Sequence, residues 1–164
     1  MAMIRAFLLA ASMAVLSGVS AGAQTRLETE PLAEGRPCAY ADVVGLWESQ
    51  IIVAGETGVE AHYARFPRDY MRFSPDGGMM YYGSNKLETN VQTIRRKLDE
   101  YDALDKVTYS AEIQSPGLLI LRRDGVLFQG FTCTRIPDRA GKRAMLLTQL
   151  KGLPALRRLQ LRLD

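Results

Sequence analysis

The sequence predicts a mainly β (α+β) fold: an antiparallel meander that closes into a small barrel or a strongly curved sheet, with one inserted helix at about residues 86–104. Three observations predict it. Short runs of β-branched and aromatic residues alternate with period two. Turn-forming Gly, Pro and Asp separate them at hairpin spacing. Only one stretch of the chain switches clearly to a helical period.

The elements follow in order. Gly45–Val53 is rich in β-formers and stops at Gly55-Glu56-Thr57-Gly58, so it reads as a first strand. Val59 to Phe66 alternates Val59, Ala61 and Tyr63 against Glu60, His62 and Ala64, which predicts a half-buried second strand ended by Pro67. Tyr70–Phe73 and Met79–Tyr82 flank Ser74-Pro75-Asp76-Gly77-Gly78, a hairpin loop. Leu87, Val91, Ile94, Leu98, Tyr101 and Asp105 then recur at spacings of 4, 3, 4, 3 and 4, which places five apolar or aromatic groups on one face of a helix from Lys86 to Leu104. Its cap is Asn85 with Glu88, or Thr89 with Gln92. Arg95, Arg96, Lys97 and Glu100 face solvent.

Val107, Tyr109, Ala111 and Ile113 alternate with Thr108, Ser110 and Glu112, the clearest period-two pattern in the chain, and Ser115-Pro116-Gly117 turns it. Leu118–Arg123 and Val126–Ile136 flank Asp124-Gly125, a dipeptide suited to a type I′ turn because both central residues need positive φ. Pro137–Lys142 reads as a loop and Ala144–Leu150 as a last strand. Leu153–Leu163 fits two patterns: Leu153, Leu156 and Leu159 suit a helix opened by Pro154, whereas Leu159, Leu161 and Leu163 alternate as a strand.

Ahead of this domain, Arg5 precedes the apolar run Ala6–Leu16 and the small residues Ala21-Gly22-Ala23, the n-, h- and c-region pattern of a cleavable signal peptide over residues 1–23. The run is far shorter than the roughly 20 residues a bilayer crossing requires. Residues 24–37 are aperiodic, with Pro31, Gly35 and Pro37, and read as a flexible leader; the domain spans 38–164. Export to the periplasm or the extracellular space, as a soluble protein, is the expectation. In that oxidising setting Cys38 and Cys133 are expected to form a disulfide, with two buried free thiols as the other possibility. The charge balance is near neutral overall, but Arg135, Arg139, Lys142, Arg143, Lys151, Arg157, Arg158 and Arg162 face only Asp138 and Asp164 in the C-terminal segment. That segment is either a solvated face or a contact for an anionic membrane surface or acidic partner. Nothing points to nucleic acid.

Tyr40-Ala41-Asp42-Val43-Val44 leading into Gly45-Leu46-Trp47 resembles the G-x-W signature of lipocalins and of the lipocalin-like domains of bacterial exported proteins. Phe73-Ser74-Pro75-Asp76-Gly77 is similar to the F-x-x-D-G turn of those domains. The resemblance implies a calycin-type barrel over Tyr40–Ile136 and an Arg, at position 135, stacked over Trp47 as a cation on an indole face.

The side chains restrict the chemistry. With His62 as the single histidine and no Cys cluster, a zinc site has too few ligands, and no metal or other cofactor is expected. There is no G-x-S-x-G elbow for a Ser-His-Asp arrangement and no phosphate-cradling loop. Asp99 with Asp102, and Glu100 near Asp105, read as solvent-facing helix charges. No catalytic residue is assigned. The aromatics Trp47, Tyr63, Tyr70, Phe73, Tyr81, Tyr82, Tyr109, Phe128 and Phe131 fall on expected strands, where they either fill the barrel or line a cavity. Three functional readings follow. The first is binding of a small apolar ligand through Trp47, Tyr63, Phe73, Tyr81 and Phe128. The second is a non-enzymatic interaction or structural module at the cell envelope that uses the helix face or the basic C-terminal segment. The third is a small hydrolase or isomerase on the same barrel, with His62 or a carboxylate as base.

Overall fold

The computed structural model describes residues 35–54, 64–150 and 156–164. The signal segment, all of the leader before Gly35, and His62 and Tyr63 lie outside the described residues. Among the described residues the elements with defined bounds run in the order β1 (Arg36–Pro37), α1 (Tyr40–Val43), β2 (Gly45–Ala54), β3 (Arg68–Phe73), β4 (Met79–Ser84), α2 (Val91–Asp105), β5 (Tyr109–Gln114), β6 (Leu118–Arg123), β7 (Val126–Arg139), β8 (Lys142–Gln149) and β9 (Leu156–Arg162). Eight of the strands pair antiparallel as β4-β3-β2-β9-β8-β7-β6-β5, and the order returns on itself to make a nearly closed barrel. The ends of that path meet at a single bridge, Gly78 to Ser110, where the Ala111 N–H donates to the Gly77 carbonyl at 2.7 Å. The remaining strand, β1, pairs with β7 through Arg36–Arg135 and Pro37–Thr134, so these two residues of the segment expected to be leader are strand.

The turn chemistry explains most of the meander. Asp124 and Gly125 both take positive φ, 49° and 77°, as a type I′ turn requires. The expected loop at 137–142 narrows to a turn at 140–141: β7 runs on to Arg139, and the ladder shifts register between Ile136 and Arg139. That irregularity accommodates Pro137, which has no N–H for the ladder. The hairpin then turns at Ala140-Gly141 with φ of 49° and 72°. An Ala in left-handed conformation gives no compositional signal, which is why this turn reads as a loop. The ambiguous end resolves as strand over 156–162. Of the expected second strand, residues 59–63 lie outside the described residues, and Ala64 and Arg65 are helical rather than extended.

The inserted helix forms later than its periodicity predicts. Tyr70 Oη accepts from the Glu88 N–H at 2.7 Å and donates to the Glu88 carbonyl at 3.2 Å, which engages the carbonyl that a helix starting there would use. Neither expected cap is used. Asn90 caps α2, its Oδ1 accepting from the Gln92 and Thr93 N–H groups. Ile94 and Leu98 bury completely against Leu46 and Tyr70 on the outer face of β2 and β3, whereas Leu87 and Tyr101 stay largely exposed. Tyr101 rests on Tyr82, ring centroids 5.1 Å apart.

Inside the barrel the main core gathers Trp47, Met71, Phe73, Met79, Leu119, Leu121, Phe131, Met145 and Leu147. Each large side chain so buried contributes about 1.5–3 kcal/mol. One barrel end is sealed. Cys38 and Cys133 form a disulfide with Cα atoms 5.4 Å apart, and α1 sets Val43 into the core beneath it. The Trp47 indole N–H donates to the Val43 carbonyl at 2.6 Å, and the Tyr40 hydroxyl to the Ser74 carbonyl at 2.9 Å. Asp42 holds α1 by accepting from the Ala39 N–H and from Arg36. The Arg36 guanidinium keeps the Asp42 carboxyl below the usual carboxylate range.

Candidate functional site

Two features stand apart from the packed core: a chain of polar side chains inside the barrel and an open seam in its wall. The polar chain follows from register. Ser49, Asp69 and Gln160 are neighbours on β2, β3 and β9, all facing inward. Arg158 lies two residues from Gln160 on the same face, and Tyr81 points inward from β4. Arg158 donates to Asp69 at 2.7 Å with both side chains closed to solvent, 3% and 1% exposed. The Tyr81 hydroxyl donates to the other Asp69 oxygen at 2.8 Å, and the Gln160 amide to the Ser49 hydroxyl at 2.7 Å. Gly83, paired with Asp69, makes the contact possible: a Cβ there would press on the Tyr81 hydroxyl at 3.1 Å.

Burial sets the electrostatics of this group. It pushes the Asp69 carboxyl up to about 7, against the pull of the Tyr81 hydrogen bond. It raises Tyr81, with the Asp69 charge adding to the effect, and brings Arg158 down to about 10. The Gln160 Oε1 is buried without a hydrogen-bond partner. With both its oxygens engaged and no solvent contact, Asp69 is unlike a general base, which must reach a substrate proton. Asp99 and Glu100 of the helix are surface charges: Asp99 pairs with Arg72 at 2.6 Å and Glu100 with Lys97 at 3.1 Å. Among the described residues, no three His, Cys, Asp or Glu side chains group to hold a metal.

The seam lies where β4 and β5 share only the Gly78–Ser110 bridge. Beside it is a cleft of about 400 Å³ lined by Ser74, Gly78, Met79, Met80 and residues 106–109. Met79 and Tyr109 belong to the inner face as well, so the cleft floor is the edge of the core.

The residues singled out from the sequence separate here. Trp47 and Phe73 are in the core and closed to solvent, Tyr81 packs against them and is held by Asp69, and Tyr63 lies outside the described residues. Phe128 is not in that core; it is 48% exposed, edge-on to Tyr109 at 6.2 Å. Arg135 is not over Trp47. Its guanidinium donates to the Ile136 and Ala144 carbonyls and to Asp138. Arg162 of β9 takes the expected place, 6.0 Å from the indole centroid. Gly45 makes room for it: at φ 134° its missing Cβ would meet the Arg162 guanidinium carbon at 2.8 Å.

The basic C-terminal segment is likewise redistributed. Arg158 is inside the barrel, Arg162 is folded onto Trp47 and Asp164, and Arg135 is bonded to backbone, so these three cations do not form a surface patch. Sequence reasoning missed Asp69, Arg158, Gln160 and the cleft residues at 106–108. Only the alternation of β9, once known to be a strand, assigns Arg158 and Gln160 to the inner face.

Compared with known proteins, this chain matches no family model, no curated protein and no solved structure. Among the described residues no helix is long and apolar enough to cross a membrane, and the disulfide fits an exported protein.

Proposed function

We propose that the chain is an exported, lipocalin-like barrel that binds a small, largely apolar molecule at the seam between β4 and β5. The observation that carries this reading is the seam itself. The barrel is laddered everywhere else, yet here a single bridge closes it beside a cleft whose volume falls in the range of small-molecule sites. The Trp47–Arg162 contact and the Gly45 that admits it support the lipocalin-like reading. The signal-like N-terminus and the disulfide support export.

The ligand position differs from that of a hollow barrel. Trp47, Phe73, Phe131, Leu119, Leu121, Met145 and Leu147 have essentially no surface within reach of water, so no water-sized void adjoins them. These side chains serve packing, and the room for a guest is at the wall, in the cleft that Met79 and Met80 line together with Ser74, Lys106 and Thr108. The neutral dye N-phenylnaphthylamine tests the reading. Saturable binding of one dye per chain, lost in Thr108→Trp, whose indole fills the cleft from an exposed position, is the expected result. No saturable binding, or equal binding by Thr108→Trp, would overturn it.

A further inference from the structure

The β7–β8 hairpin gathers cations of the basic segment that stay at the surface. Arg139 stands directly opposite Lys142 in the ladder, Arg143 follows, and Lys142 and Arg143 are exposed. Like charges placed face to face across a ladder repel. The one carboxylate between Arg135 and Arg143 is Asp138, which Arg135 engages at 2.8 Å. Among the described residues no carboxylate forms an ion pair with Lys142 or Arg143, so the hairpin tip carries an excess of positive charge.

The start of the domain lies beside this tip. β1 occupies the edge of β7 that β6 leaves after Thr132, because β8 holds the other edge from Phe131 onward. It runs antiparallel, Arg36 opposite Arg135 and Pro37 opposite Thr134, so its N-terminal end points along β7 toward Arg139. Gly35 is pressed onto that strand: a Cβ there would come within 2.2 Å of the Arg135 carbonyl oxygen. From Arg135 to Arg139 is about 13 Å of strand. The sequence just before Gly35 is acidic, with Glu28, Glu30 and Glu34 against Arg26 alone in residues 24–34. At about 3.3 Å per residue, Glu30 reaches up to roughly 17 Å from Gly35, far enough to bring its carboxylate level with the tip.

We propose that residues 24–34 are an acidic strap that docks on the β7–β8 hairpin tip, where Glu28, Glu30 and Glu34 meet Arg139, Lys142 and Arg143. Direction, reach and charge all select this occupant. Carboxylate–cation attraction holds it rather than a backbone ladder, because the register shift and Pro137 interrupt β7 past Ile136. A single surface pair contributes little, but three carboxylates tethered beside three cations act at high effective concentration. The docked strap keeps other anionic partners off the tip, and salt releases it. The proposal does not depend on ligand binding at the seam.

Zero-length cross-linking of the full chain with a water-soluble carbodiimide tests it, since this reagent joins a lysine amine to a carboxylate only in direct contact. Mass spectrometry of the digested monomer is expected to find Lys142 joined to Glu28, Glu30 or Glu34, in a yield that drops about fivefold in high salt. Lys97 and Glu100, 3.1 Å apart on α2, supply a reference link. Trypsin should cleave within 139–143 about fivefold faster in the triple variant Glu28→Gln, Glu30→Gln, Glu34→Gln, with thermal unfolding unchanged. Absence of any link from Lys142 to these glutamates while the reference link forms, or equal cleavage of variant and wild type, would overturn the proposal. Links found only in covalent dimers would also overturn it and make the strap a contact between copies.

Discussion

The two walls of the barrel differ in what they bury. All of the buried polar side chains among the described residues, Glu48, Ser49, Asp69, Ser84, Arg158 and Gln160, belong to β2, β3, β4 and β9. The facing wall, β5 to β8, buries only apolar side chains and glycine, together with Cys133 of the disulfide. An apolar wall tolerates some exchange of shape, because its attraction is non-directional. A wall of paired polar groups does not, since each group depends on a named partner. The contrast teaches that the apolar wall and the staple carry stability, while the polar wall fixes how the remaining strands sit against it.

Breaking the polar wall should therefore have the largest effect. Arg158→Ala leaves the Asp69 carboxylate buried without its cation, and a loss of about 3–5 kcal/mol in denaturant unfolding is expected. A loss below about 1 kcal/mol would mean that the pair is not dry. The staple comes next. The two cysteines are 95 residues apart, and Cys38→Ser with Cys133→Ser should lower stability by about 2–4 kcal/mol under oxidising conditions. Under reducing conditions the same double variant and the wild type should unfold alike.

Per unit of pH the effect is smaller, and it sharpens the comparison. Burial raises Asp69 to about 7, above its unfolded value of 3.8, because desolvation penalises the carboxylate more than its partners repay. A group raised in the folded state contributes stability that is fully present below its unfolded pKa and lost as pH rises through the folded one. The wild type should thus lose about 1 kcal/mol per pH unit between roughly pH 4 and 7 from this group. Asp69→Asn, which cannot ionise and whose single amide oxygen can still accept from Arg158, should flatten that slope. Leu147→Ala on the apolar wall should lower stability by about 2–5 kcal/mol and leave the slope unchanged. An unaltered slope in Asp69→Asn would assign the pH dependence elsewhere.

Much of the barrel is legible in the sequence because its hairpins state their own geometry. Asp124-Gly125 marks a type I′ turn, β5 shows its alternation, and the two cysteines announce a bridge. What is hidden depends on tertiary contacts. The start of α2 is set by a hydroxyl from Tyr70 eighteen residues earlier, which no local pattern contains. Arg158 looks like one more cation in a basic segment until β9 is paired between β2 and β8. Val126–Phe128 read as strand interior, yet they protrude because β8 ends short of them. The seam cleft joins Gly78 to residues 106–109, a juxtaposition created by closure of the barrel and written in neither segment alone.

The seam as the ligand's place of entry is tested most directly by amide and indole chemical shifts followed during titration with N-phenylnaphthylamine. The shifts are expected at Gly78, Met80 and Val107–Tyr109, with the Trp47 indole and the Phe131 and Leu147 amides unmoved. Saturable shifts centred on Trp47, Phe131 and Leu147, with the seam silent, would contradict the account and put the guest in the barrel's centre.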